Sequence, residues 1–219
     1  RDLSYFERLA EVVQAEASEA FTPYELGLLQ SIGIERERPF EPDARMRELL
    51  SEGVLIGDAM AKANAYANRL PGVRRYPDRM YEHLFLGGRH DFMRGEALWL
   101  DARTLFHNEA IVVTPAMALE RVGVGSQYLA SYRDADGEFL MGQHSYKLHL
   151  PKGIPAENFW AVTLYDAPTA AGVDKPGQPI PSINSQGNLK YNDDGSIDLY
   201  FGPEPPQGAP LSNYIGTNQ

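Results

Sequence analysis

The chain has 219 residues, 43% of them hydrophobic, enough apolar material for one or two globular domains, which excludes disorder of the chain as a whole. With 20 Lys and Arg against 30 Asp and Glu, the net charge is −10, so the surface repels phosphate backbones and nucleic acid is not an expected partner. The absence of cysteine excludes disulfides, thiolate nucleophiles and Cys-ligated metals, and no apolar run approaches the roughly 18 residues that span a bilayer.

The first residue is Arg1 rather than Met, so a processed or partial chain is expected. Ser4 is placed to cap a helix from Tyr5 that carries Phe6, Leu9, Val12 and Val13 at helical spacing. Thr22-Pro23 pairs an N-cap residue with proline at the first helical position. Leu26, Leu29 and Ile32 then share one face, and Gly33 ends the segment. Residues 34–40 read as a loop. Asp43 opens a long helix to about Ala67, with Met46, Leu49, Leu50, Val54, Ile56 and Met60 as its apolar face and Gly53 and Gly57 as kink points. Residues 70–98, rich in Arg, Gly, Tyr and His, read as irregular; so long a stretch either wraps another domain or hides short elements. A helix over 101–110 and a short turn over 114–119 follow.

From Gly123 the apolar period changes to two. Residues 126–133 alternate and run into Asp134-Ala135-Asp136-Gly137, a hairpin turn sequence. Residues 146–150 alternate again. Phe159–Tyr165, a continuous apolar and aromatic run, reads as a central strand, and a Pro/Gly-rich loop spans 167–182. Residues 189–191 and 197–201 read as strands joined by the hairpin signal Asn192-Asp193-Asp194-Gly195, and the Pro-rich tail from Gly202 as irregular.

No catalytic motif stands out. Gly123-Val124-Gly125-Ser126 lacks the second flanking glycine of a nucleophile elbow and the third of a dinucleotide loop. The five histidines form no H-E-x-x-H pair, and the two Asp-Gly turns lack the length and bidentate Glu of a calcium loop, so neither a metal nor a cofactor is expected. The arginines at 74, 75, 79, 89 and 94 alternate with Asp78, Glu82, Asp91 and Glu96 and read as a salt-bridged surface. Asp166 is the catalytic candidate, since it ends a strand expected to be buried. Tyr128, Tyr132, Tyr146, Phe159, Trp160 and Tyr165 are candidates to line one sheet face. Asn184 and Gln186, in a polar loop, complete a ligand-binding set suited to a glycan or another polar ring.

The motifs WLDAR at Trp99, VTPAMALERVGVGSQYLASYRDADG from Val113, YKLHLP at Tyr146, FWAVTLYD at Phe159, IPSINSQ at Ile180 and NDDGSIDLYFGPEPP at Asn192 occur together and in this order. This set resembles a bacterial family that pairs domains of unknown function 1254 and 1214; the helical part from Arg1 resembles that family's linker region less distinctly. The resemblance implies a β-sandwich or jelly-roll domain, a β-rich domain preceding Arg1 and a further strand after the tail. It also implies an exported, periplasmic or secreted setting. Relatives carry an arginine after the Tyr-Asp pair, where this chain has Pro168-Thr169-Ala170.

The expected fold class is therefore α+β. A helical and irregular region, 1–122, packs on or links to an antiparallel β-sandwich or jelly-roll-like domain, 123–219. The expected function is that of a binding or structural module of an exported or envelope protein, engaging a glycan or other polar ligand. The alternative is a hydrolase whose site combines Asp166 and the 182–186 loop with residues of the preceding domain. That domain, or another chain, is expected to cover an open sheet edge, and homo-oligomerisation is compatible with this.

Overall fold

The computed structural model describes residues 2–110, 113–121, 125–178 and 180–217. The Gly123-Val124 part of the expected change of period lies outside them. The chain divides into two compact units, Arg1–Leu70 and Pro71–Gln219.

The first unit is helical. Helix α1 (Ser4–Ala15) starts one residue before the expected position: Leu3 is the N-cap, and the Asp2 carboxylate accepts the Ser4 N–H at 3.0 Å. Helix α2 (Pro23–Ser31) carries a complete capping box: Thr22 accepts from the Glu25 N–H, and Glu25 accepts from the Thr22 N–H. Its end is a Schellman turn. Gly33 has φ +85° and donates to Gln30, while Ile34 donates back to Leu29 at 3.0 Å. That turn buries Ile34 against Ala10 and Val13, with Phe6, Leu9, Leu26, Leu29, Ile32 and Phe40 packed around them. Arg36 reaches back to the carbonyls of Val13 and Glu16 and so satisfies the C-terminal end of α1, which lacks a basic residue of its own. Helix α3 (Ala44–Tyr66), capped by Asp43 on the Met46 N–H at 2.7 Å, runs unbroken through Gly53 and Gly57. The expected apolar face divides. Leu50, Val54, Ala61 and Ala65 form the buried stripe, at spacings of four, seven and four, while Leu49, Ile56 and Met60 face solvent.

The second unit contains the sheets. The stretch expected to be irregular holds β1 (Glu82–His83) and the hairpin of β2 (Met93–Arg94) with β3 (Ala97–Leu98). Helix α4 (Leu100–Glu109) buries Ala102, Leu105 and Phe106, with Phe106 stacked on Phe85 and Phe92. A short helix, α5 (Pro115–Ala118), follows, then β4 (Leu129–Ala130), antiparallel to β1 and shorter than the alternation predicts. The turn 134–137 forms as expected: Asp134 Oδ1 accepts the N–H groups of Asp136 and Glu138, and Gly137 has φ +88°.

Strand β5 (Tyr146–Leu150) pairs antiparallel with β8 (Ile197–Gly202), and β9 (Tyr214–Gly216) adds parallel to β8. The tail is thus not wholly irregular. The expected central strand 159–165 is reduced to β6 (Ala161–Thr163), paired with β7 (Ser182–Asn184) in a two-stranded ribbon. Ile183 of that ribbon joins Ile197, Leu199, Phe201 and Ile215 in one core, with Trp160, Val162 and Leu164 against it. The result is α+β: helices first, then an antiparallel-rich sheet region stacked as an open sandwich rather than a closed barrel. Residues 189–191 do not join a ladder. The Asn213 side chain takes the place of a neighbouring strand, accepting the Lys190 N–H and donating to the Lys190 carbonyl.

Candidate functional site

On the β6–β7 ribbon, period-two geometry turns Trp160, Val162 and Leu164 inward, and Phe159, Ala161, Thr163 and Tyr165 outward. The predicted aromatic set therefore does not share a face: Phe159 and Tyr165 are exposed, and Trp160 packs into the core. Asn184 and Gln186 are exposed, and Asn184 Oδ1 accepts the Gln186 N–H at 3.0 Å, closing the turn. Asp166 serves the loop that follows it. One carboxylate oxygen accepts the Thr169 hydroxyl at 2.6 Å and its N–H at 3.2 Å. No other carboxylate or imidazole is bonded to it among the described residues.

Tyr128 and Tyr132 belong to a different locality, the ribbon of β1 and β4. Residues 73–75 run beside 81–83: His83 donates to the Val73 carbonyl at 2.8 Å, and Arg75 to Tyr81 at 2.9 Å. Glu82 opposes Ala130 and His83 opposes Leu129, so Glu82 and His83 emerge on opposite faces.

On the His83 face, Arg75 grips Glu120 through both carboxylate oxygens, at 2.9 and 3.2 Å. Glu120 in turn holds His83 Nδ1 at 3.2 Å. The imidazole is thereby fixed in orientation, and its Nε2 takes no partner among the described residues. Beside it lies a hollow of about 10 Å³, lined by His83, Phe85, Met117, Glu120, Gln127 and Tyr128, with room for about one water or ligand hydroxyl. Gly125 lies two residues before Gln127. Its φ is +78°, and a Cβ there would stand 2.7 Å from the Ala116 carbonyl oxygen, so only glycine lets the chain pass this close to α5.

On the Glu82 face, Glu109 at the end of α4 accepts the Tyr132 hydroxyl through Oε1, while Oε2 is buried with no partner among the described residues. Burial pushes the Glu109 carboxyl up to about 8; the Tyr132 bond opposes this and the nearby Glu82 charge adds to it. Burial also raises Glu82, against the pull of Arg74 and Arg133. The remaining arginines of this stretch are engaged. Arg89 pairs with Asp91 and holds that carboxyl well below its usual range, Arg79 pairs loosely with Asp78, and Arg94 lies over the Trp99 ring.

Sequence reasoning named Tyr128 and Tyr132 as candidates but not His83, Glu120, Arg75, Glu82 and Glu109, which the structure places beside them. One signal was present: Ala102, Leu105, Phe106 and Glu109 stand at i, i+3, i+4 and i+7, which puts a half-buried carboxylate in line with the buried stripe of α4. No cluster of three His, Asp or Glu side chains able to hold a metal occurs among the described residues, and no described helix is long and apolar enough to cross a membrane.

These features define an α+β protein with an open sheet and a small polar hollow on a side ribbon. Residues 125–219 match the family described as "Protein of unknown function (DUF1214)". No curated protein matches the chain. Among solved structures, the chain is similar to the VPA0106 protein from Vibrio parahaemolyticus, with 17% identity and a TM-score of 0.44. The match covers 98% of this chain and 48% of the Vibrio protein, so the chain spans about half that protein's length.

Proposed function

We propose that this chain is a polar-ligand-binding module of an exported or envelope bacterial protein, whose ligand inserts one hydroxyl into the His83 hollow. The observation that supports this is the Arg75–Glu120–His83 relay, which fixes an imidazole whose second nitrogen has no partner among the described residues, beside a space the size of one hydroxyl. Gln127 adds an amide, and the half-exposed Tyr128 ring offers a flat apolar surface. Such a combination suits a sugar ring, with one hydroxyl held and one face stacked. The same reading pairs this chain with a 1254-type domain or a second chain, docked at the free edge of β5, where Lys147 blunts self-pairing.

The test is a thermal-shift panel of N-acetylglucosamine oligomers, neutral disaccharides and uronic acids on the full chain. At least one probe is expected to raise the melting temperature. The rise should vanish in His83→Ala and Tyr128→Ala but persist in Asn184→Ala, which lies on the other ribbon. No shift across the panel, or a shift lost only in Asn184→Ala, overturns the reading.

A further inference from the structure

We propose that the Glu109–Tyr132 hydrogen bond is a protonation-gated clasp on the ribbon that carries the His83 hollow, closed while Glu109 is neutral and open once it ionises. The proposal deepens the reading of the hollow as a binding site and rests on that reading for its functional consequence.

Burial, the Glu82 charge and the helix end favour the neutral form of Glu109, and together they outweigh the Tyr132 hydroxyl, which as a donor favours the carboxylate. Tyr132, from the segment after β4, gives Oε1 one donor. Oε2 is buried and has none among the described residues, so an ionised carboxylate would leave half its charge without a hydrogen bond. Glu82, from β1, presents a second carboxylate. The cations nearby, Arg74 and Arg133, act on Glu82, and the adjoining Tyr81 is itself raised by burial. Glu109 is also the last residue of α4, where the helix dipole presents its negative end.

The clasp matters because the ribbon is short. Strands β1 and β4 share two residue pairs, Glu82 with Ala130 and His83 with Leu129. β1 is also bonded to residues 73–75, but its pairing with β4 spans only two residues, and a pairing of that length depends on its side-chain anchors. Tyr132 lies two residues beyond Ala130, and Gln127 and Tyr128 adjoin Leu129 on the other side. When Glu109 ionises, it leaves this position for solvent and the Glu109–Tyr132 bond breaks. The segment holding Tyr128 and Gln127 against His83 then loosens.

The test is amide hydrogen exchange of the full chain at pH 6.5 and pH 9, corrected for the intrinsic pH dependence of exchange. Peptides covering 81–83 and 129–132 are followed. Protection in the parent is expected to drop by about tenfold at the higher pH, where the carboxylate dominates. Glu109→Gln, neutral throughout, should stay protected at both values, and Tyr132→Phe should lack protection at both. Equal protection of the parent at the two values, or a Glu109→Gln variant that opens at pH 9, overturns the clasp. The measurement uses no ligand, so the two readings fail separately. Opening without any thermal shift from the N-acetylglucosamine oligomers, neutral disaccharides and uronic acids at pH 6.5 sinks the binding site and leaves the clasp; a thermal shift of equal size at both pH values sinks the clasp alone.

Discussion

Removing the Asn213 side chain is expected to cost the sheet unit a large part of its stability. Asn213 is 1% exposed and uses its whole amide. Oδ1 accepts the Lys190 N–H at 2.9 Å and the Ser212 hydroxyl at 3.1 Å; Nδ2 donates to the carbonyls of Lys190 at 2.8 Å and Asp198 at 3.0 Å. Three of these bonds fix main chain, at about 1 kcal/mol each. Water reaches the exposed Lys190 in the variant and trims the loss, leaving about 2–3 kcal/mol for Asn213→Ala. At about 2–4 °C per kcal/mol for a unit of this size, the melting temperature falls by roughly 4–12 °C. Asn213→Asp separates hydrogen bonding from packing, since it keeps the shape but aims a carboxylate oxygen at two carbonyls. The new carboxyl is then held protonated in the folded state. Its folded pKa lies above the unfolded one, so the variant is least impaired below about pH 4 and loses stability as pH rises. Urea denaturation of parent and both variants at pH 4 and pH 7 measures this. An Asn213→Ala midpoint equal to the parent's, or an Asn213→Asp variant as stable as the parent at pH 7, would refute the account.

Stability of the parent should itself fall as pH rises from about 4.5 to about 8, because folded Glu109 keeps a proton that the unfolded chain releases. At about 1.4 kcal/mol per pH unit the loss from Glu109 is at most about 5 kcal/mol, and Glu109→Gln should remove most of the slope in urea titrations across the window, leaving the share of Glu82. Thr22→Ala removes the capping box of α2 and should cost about 1 kcal/mol; a variant indistinguishable from the parent in thermal denaturation would show that the box contributes nothing. Gly125→Ala forces a Cβ against the Ala116 carbonyl oxygen in a left-handed backbone conformation, at a cost of about 1–3 kcal/mol, and should abolish any ligand shift at the His83 hollow; an unperturbed melt with the shift intact contradicts the close approach to α5.

The parts of the fold written in local chemistry were legible from the residues. Thr22-Pro23, Asp43, the 134–137 turn and the 192–195 turn each specify a local hydrogen-bond pattern, and each forms. Strand β5 was legible because its alternation matches a half-buried strand. Residues 159–165 misled for the converse reason. A continuous apolar run fits burial on both faces, yet Phe159 and Tyr165 point outward on a two-stranded ribbon. Strand β9 was hidden behind prolines, since a parallel partner needs a crossover and a Pro-rich loop supplies one here. Residues 189–191 do read as a strand, but their partner is a side chain 23 residues away.

The candidate site was half legible for the same reason. Tyr128 and Tyr132 declared themselves as aromatics in an alternating segment, but what gives them chemical meaning comes from far along the chain: Glu109 is 23 residues from Tyr132, and Arg75 is 45 from Glu120. Judged by its neighbour His107, Glu109 is an ordinary helix-surface acid. Judged by its turn of the helix, it follows Ala102, Leu105 and Phe106 in line with the buried stripe, where an unpaired carboxylate costs more than packing can return. A carboxylate at a core position must therefore be neutral or find a donor, and Glu109 does both: it holds its proton and takes the Tyr132 hydroxyl. The hydrophobic period predicts where an acid is buried, burial predicts that it titrates near neutrality, and the ribbon beside it inherits that titration.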